Sequence, residues 1–258
     1  MMIAEAPMKL CAVVPVYDHE RAVGAVIVGL CAAHLPCVVI DDGSAPPCAR
    51  VLDELAASLP GVALVRRAKN GGKGAAVSDG LRAAMAAGYT HALQVDADGQ
   101  HDLTDIPRFI AAAAAHPDSV ICGRPCFDAS MPRLRFYSRY LTHFFVWLNT
   151  LSFDIRDSMC GFRLYPLAGV INLLDSQRMG SRMDFDIEVL VRLHWRGVSL
   201  RWINTRVQYP TDGISHFRMI LDNTLITRLH ARLFFGMLLR LPGIALRRIA
   251  VNNRASHA

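Results

Sequence analysis

Apolar residues in the first half of the chain come in short runs that stop at charged or glycine-rich turns. Leu10-Cys11-Ala12-Val13-Val14-Pro15-Val16 is the first such run. It is continuous rather than alternating and β-branched at its centre, which predicts a strand buried on both faces, as in a parallel sheet. Cys37–Ile40, Val62–Val65, His91–Asp96 and Ser119–Gly123 repeat the pattern. Helix-forming segments separate them: Glu20 to about Cys31, Arg50–Ser58, the alanine-rich Ala75–Ala87, and Asp105–Ala115. Asp18 and Ser44 stand where helix caps belong, and Pro46 and Pro47 are tolerated in a first helical turn. This order of strands and helices, joined by short turns, predicts an α/β domain with a mostly parallel sheet and right-handed crossovers.

Beyond Arg124 the pattern changes. Arg133-Leu134-Arg135-Phe136-Tyr137-Ser138-Arg139-Tyr140 opens a basic, aromatic helix that runs to about Thr150. Ile220–Leu241 is apolar but punctuated by Arg228, Arg232 and Arg240. At about 100° per residue these arginines share one stripe opposite Leu, Phe and Met, which suits a helix lying on a membrane or one packed on the core. The expected organisation is a catalytic domain over residues 1–213 and a basic amphipathic helical extension over 214–258.

Composition adjusts this picture in three places. With 52% hydrophobic residues and a mean hydropathy of +0.26, some apolar surface is expected to meet a membrane or a partner. The longest weakly polar run, Ala22 to Ile40, is broken by Pro36 and reads as helix then strand rather than a membrane span. Met1 to Pro7 has neither a basic start nor an apolar centre, so no signal peptide is expected. The seven cysteines form no C-x-x-C pair, which predicts reduced thiols of a cytoplasmic protein rather than a zinc site. Charge is divided: residues 1–123 hold 9 Lys and Arg against 13 Asp and Glu, whereas residues 124–258 hold 19 against 9. The basic half has no helix-turn-helix, RNP or zinc-finger pattern, so nucleic acid is excluded in favour of anionic lipid or phosphate.

The candidate chemistry gathers at strand ends. Asp96 and Asp98 alternate across Ala97 just where the fourth run stops, so both carboxylates can converge on one hard cation, Mg²⁺ or Mn²⁺. Gly99 lets the chain turn and bring Gln100 back as a further oxygen ligand. Asp41-Asp42-Gly43-Ser44 is either a capped turn or a second acidic loop suited to a base N–H or ribose hydroxyls. Asn70-Gly71-Gly72-Lys73-Gly74, ahead of a helix, is either a tight turn or a phosphate cradle; it is not a Walker A loop, because Gly74 follows Lys73. Arg124, Arg133, Arg135 and Arg139 either form a solvated face or clamp an anion.

Taken together, Pro15-Val16-Tyr17, Asp41-Asp42-Gly43-Ser44, Asn70-Gly71-Gly72-Lys73-Gly74, Asp96-Ala97-Asp98-Gly99-Gln100-His101 and Cys160-Gly161-Phe162-Arg163 resemble the family 2 glycosyltransferases of GT-A fold. The likeness covers about residues 9 to 218 and is nearest the branch that contains dolichyl-phosphate mannose synthases. It implies a nucleotide-diphosphate sugar donor, a divalent metal and inverting transfer to a polyprenyl phosphate or another lipid-linked acceptor. Pro15, Val16, Tyr17, Asp41, Asp42, Lys73, Asp96 and Ala97 would then bind the nucleotide, and Asp96, Asp98 and Gln100 the metal. Arg124, Arg135, Ser138 and Arg139 would face the acceptor. Two departures stand out. Leu134 replaces the basic residue that the branch places four positions before the serine, and Pro210-Thr211-Asp212-Gly213-Ile214-Ser215-His216 replaces its late R-x-x-G-x-S-K segment. The donor diphosphate is thereby left to His216 or Arg218. Cys160 to Pro166 and Tyr209 to Arg218 also resemble glycosyltransferases of bacterial aryl-polyene clusters, which implies a lipid hydroxyl as acceptor. Such an acceptor needs a general base, for which Asp184 and Asp186 are the candidates. A nucleotidyltransferase and a non-catalytic sugar-nucleotide sensor are the rival readings. The expected location is the cytoplasm, peripherally on the inner face of the cytoplasmic membrane.

Overall fold

The computed structural model describes residues 7–126, 133–207 and 217–243, with 133–136 by backbone alone. In chain order the elements are β1 (Leu10–Val16), α1 (Val23–Ala32), β2 (Cys37–Asp41), α2 (Pro46–Ser58), β3 (Val62–Arg66), α3 (Lys73–Ala86), β4 (His91–Gln94) and α4 (Ile106–Ala115). They continue with β5 (Val120–Cys126), α5 (Arg133–Thr150), β6 (Arg163–Pro166), α6 (Leu167–Ser176), α7 (Phe185–Trp195), β7 (Leu200–Arg206) and α8 (Met219–Leu238). The strands form one sheet in the order β3-β2-β1-β4-β6-β5-β7. Its pairings are parallel except those of β6, which runs antiparallel to both β4 and β5.

The strand interiors explain the layering. Cys11 and Val13 point to one face, where they meet residues of α3, α5, α6, α7 and α8. Ala12, Val14 and Val16 point to the other, against α1, α2 and α4. A continuous apolar run is what a strand covered on both faces requires. The order of connection reverses between β1 and β4, and their carboxyl ends therefore open a crevice at a topological switch point.

Several local expectations shift. β4 stops at Gln94, so Asp96 stands just past the strand instead of on it. Helix α2 starts at Pro46, because two prolines pre-set its first turn. Neither Asp18 nor Ser44 caps a helix. The Asp18 N–H donates to Ser44 Oγ at 3.2 Å, and the Ala45 N–H donates to Asp18 Oδ1 at 2.7 Å, so the turns after β1 and β2 are fastened to each other.

Helix α8 packs on α5 and α7 through Leu229, Leu233 and Met237. Its arginine stripe is not simply a lipid-facing one: Arg232 Nη2 lies 2.8 Å from the buried Glu188, and Arg240 sits over the Trp195 ring. Ile220, Phe235 and Leu239 are instead exposed, as are Tyr137, Tyr140, Leu141 and Phe144 of α5. Among the described residues no helix is long and apolar enough to cross a membrane.

Candidate active site

Past β4 the chain buries Val95 and Ala97 in the core and turns Asp96 and Asp98 toward the crevice, as alternation demands. Gly99 takes a φ of 72°, and the Gln100 N–H then donates to Asp98 Oδ1 at 3.0 Å. Asp98 is half-buried beside Asp96; burial and that neighbouring charge raise its pKa above the ordinary carboxylate value. Asp96 is different. Burial opposes its ionisation, but Lys73 and His101 outweigh that and hold its pKa well below the usual range.

Lys73, the first residue of α3, reaches across the crevice. Its Nζ lies 2.8 and 2.9 Å from the two oxygens of Asp96 and 2.9 Å from Asp186 Oδ2. Desolvation disfavours the ammonium, yet Asp186 and Asp96 more than offset it and push the lysine pKa up. His101 stacks on Phe162, with ring centroids 5.0 Å apart, and places Nε2 3.4 Å from Asp96 Oδ2. Gly161 closes the other side: a Cβ there would lie 2.7 and 2.8 Å from the Asp96 oxygens and 2.8 Å from Lys73 Nζ. Behind Asp96, Asp186 accepts from Gln94 Nε2 at 3.2 Å, and the fully buried Arg163 donates to the Asp186 carbonyl at 2.7 Å.

The glycine-rich segment does not form an open phosphate cradle. The Gly71 and Gly72 N–H groups donate to Asp42 at 2.9 and 2.8 Å, and the Ala75 N–H donates to the Ser181 carbonyl at 2.9 Å. The glycines serve close packing instead, since a Cβ on Gly72 would lie 2.6 Å from that same carbonyl. Asp41 and Asp42, expected to face the nucleotide, are only 1% and 2% exposed. Asp41 accepts from Arg66 Nε at 2.9 Å and from the Ser44 N–H at 2.8 Å, while Asp42 also pairs with Arg67. Pro15 and Val16 are buried at the end of β1, and Tyr17 is half-buried on the rim.

Of the residues expected to face an acceptor, Arg124 is exposed on β5, in register with Asn204 of β7. Arg139 is already matched: its guanidinium makes a two-pronged contact with the buried Asp157 at 2.6 and 2.7 Å, so the anion it clamps is one of the chain's own carboxylates. Asp157 also accepts from the Met159 and Cys160 N–H groups, so it ties α5 to the loop that carries Gly161. Ser138 accepts from Thr142 through its carbonyl. Arg135 falls where only backbone is described, and His216 lies outside the described residues. Arg218 donates its backbone N–H to Asp222 at 2.6 Å. Of the two candidate bases, Asp186 has one oxygen on Lys73 and the other on Gln94, and Asp184 accepts from the Arg182 N–H at 3.1 Å.

Gln94, Asp157 and Arg163 escaped the sequence as site-shaping residues, although Arg163 stands inside a motif already noted. Among the described residues no third His, Cys, Asp or Glu joins the aspartate pair as a metal cluster. The pair still fits a hard divalent cation. It offers oxygen donors, and a cation there would offset both the burial and the neighbouring Asp96 charge that raise the Asp98 pKa.

Known proteins resemble the chain in the same terms. The family model described as "Glycosyl transferase family 2" matches residues 11–171. A polyprenol monophosphomannose synthase of Mycolicibacterium smegmatis is 34% identical over 205 residues, covering 72% of this chain and 71% of that protein. Among solved structures, glucosyl-3-phosphoglycerate synthase from Mycobacterium tuberculosis, in complex with Mn²⁺, UDP-glucose and phosphoglyceric acid, superposes with a TM-score of 0.62 at 14% identity. That match covers 89% of this chain and 79% of the other. A mannosyltransferase from Pyrobaculum calidifontis in complex with GDP-mannose and Mn²⁺ gives a TM-score of 0.56 at 14% identity, over 96% and 76%.

Proposed function

The chain belongs to glycosyl transferase family 2 and has the GT-A fold, and from that premise we propose that it moves a sugar from its nucleotide-diphosphate donor to a lipid phosphate at the cytoplasmic face of a membrane. The observation that carries the donor half is the Asp96–Asp98 pair, which stands at the β1–β4 switch point with Asp98 held short of easy ionisation by burial and by the neighbouring Asp96 charge. These residues, with Gln100, would hold a divalent cation; when bound it offsets the charge that gathers on the departing nucleoside diphosphate. Pro15, Val16, Tyr17 and Ala97 are the proposed walls of the nucleotide site. Arg124, Arg135 and Ser138 are proposed to face the acceptor, and Arg218 with His216 the donor diphosphate.

In the reaction an acceptor oxygen attacks the anomeric carbon from the face opposite the diphosphate. The new C–O bond forms as the bond to the β-phosphate oxygen breaks, and the electron pair leaves with the nucleoside diphosphate. A phosphate acceptor arrives ionised and needs no base. That suits a site in which Asp186 is engaged by Lys73 and Gln94. The lipid half is supported by the mycobacterial relative, which is named a polyprenol monophosphomannose synthase. It is supported too by the exposed apolar face of α5 and α8, which suits peripheral docking on a bilayer.

The test is incubation with labelled UDP- and GDP-sugars, polyprenyl phosphate and Mn²⁺. The reading expects acid-labile, organic-soluble label and one nucleoside diphosphate per sugar moved. Release of sugar 1-phosphate from the nucleotide sugar, or of pyrophosphate when a nucleoside triphosphate and a sugar 1-phosphate replace it, would identify a nucleotidyltransferase; an acid-stable glycoside formed with a lipid extract would identify a hydroxyl acceptor, and binding without turnover would identify a sensor.

A further inference from the structure

We propose that Lys73 is a built-in counter-ion that keeps the Asp96–Asp98 turn from holding a divalent cation until a nucleoside diphosphate is bound. The inference rests on reading that turn as the cation site, and it adds an order of events. The Lys73 ammonium already sits where a cation on Asp96 would be drawn, 2.8 and 2.9 Å from both Asp96 oxygens and 2.9 Å from Asp186. It has little room to step aside, because Gly161 packs against Nζ so closely that a methyl group would not fit. The root of the side chain is fixed as well. On either side of Lys73 the Gly72 N–H is held by Asp42 and the Ala75 N–H by the Ser181 carbonyl, which leaves only the flexible lysine stem to move.

A divalent ion approaching Asp96 in the free protein therefore meets a positive charge held in place by two carboxylates, Asp96 and Asp186. At about 4 Å, that repulsion costs it at least about tenfold in affinity even with water-like screening. A bound diphosphate changes both sides of this balance. It offers the ammonium another anion, which releases Asp96, and it supplies oxygen ligands to the cation. By linkage, cation and nucleotide must then raise each other's affinity by the same factor.

The measurement is Mn²⁺ binding followed by the paramagnetic resonance of the free ion, with and without UDP or GDP. Asp98→Asn protein supplies the background from cation–nucleotide pairing in solution. Wild type is expected to bind Mn²⁺ weakly alone and at least about tenfold tighter with the nucleotide. Lys73→Met should bind Mn²⁺ alone at least about tenfold tighter than wild type and gain less from the nucleotide, whereas Lys73→Arg should stay weak. Lys73→Gln, whose amide can still bond the two carboxylates, takes the place of Lys73→Met if that protein does not fold. If the neutral variants bind Mn²⁺ no more tightly than wild type while the nucleotide still tightens it, Lys73 is structural and the inference is overturned. If wild type fails to bind Mn²⁺ above the Asp98→Asn background even with nucleotide, the cation site itself is wrong, and the inference goes with it.

Discussion

Two acidic turns, Asp41-Asp42-Gly43-Ser44 after β2 and Asp96-Ala97-Asp98-Gly99 after β4, look alike in the sequence and stand on the same rim. Their surroundings make them different objects. Asp41 and Asp42 are almost wholly buried and each is met by an arginine and by backbone N–H groups, so their charge is spent on fastening the glycine-rich segment and the neighbouring turn. Asp96 is met by the Lys73 ammonium on its flexible stem and by His101 at 3.4 Å, and Asp98 by a single backbone N–H within its own turn. A carboxylate whose partners are rigid is scaffold; one whose partner can leave, or which has too few, is a place for a ligand. The count of acidic residues does not separate the two cases, but the stiffness and number of their partners does.

Substitutions can break that contrast. The largest effect is expected from Asp98→Asn, which removes the charge that would hold the cation while its side-chain oxygen still accepts from Gln100. Sugar transfer should fall by roughly 10²–10³-fold, the scale of losing one major electrostatic contact to the transition state, with the melting temperature nearly unchanged. Steady-state rates beside a thermal melt check it; a melt lowered in parallel with the rate would move Asp98 to the scaffold side.

Asp42→Ala should do the reverse. It leaves the Gly71 and Gly72 N–H groups without their acceptor, while Arg67 keeps Asp79 at 2.8 Å. Denaturant unfolding should show a loss of about 3 kcal/mol, from one buried and one half-buried donor at roughly 1–3 kcal/mol each. An Asp42→Ala protein as stable as wild type but unable to bind UDP or GDP would show that Asp42 belongs to the nucleotide site after all.

The smallest effect is expected from Arg66→Met. Arg66 is 44% exposed along its side chain, and Asp41 keeps the Ser44 N–H, so the loss should be about 1 kcal/mol in the same unfolding experiment. A loss several times larger would mean that the turn after β2 depends on this one ion pair.

Much of this was legible from local pattern alone. Continuous apolar runs placed β1, β2 and β4, because a doubly covered strand writes its burial into consecutive residues. The aspartate pair could be read because i and i+2 are neighbours in space as well as in sequence. What could not be read depends on distant partners. Nothing near Lys73 announces that Asp186 will meet it, and nothing near Arg139 announces Asp157. The antiparallel β6 is four residues long, too short to show a direction of pairing. The α8 arginines form a stripe on the helix, but only the tertiary structure shows that Arg232 turns to a buried glutamate and leaves Ile220, Phe235 and Leu239 outside.

The contrast between the two turns is tested most directly by a crystal of the full chain grown with Mn²⁺ and a nucleoside diphosphate, with data collected at the manganese absorption edge. The account predicts one anomalous peak at the rim, shared by Asp96, Asp98 and the diphosphate oxygens, with Asp41 and Asp42 still on Arg66 and Arg67. A peak on Asp41 and Asp42, or a bound nucleotide with no peak near Asp96 and Asp98, would contradict it.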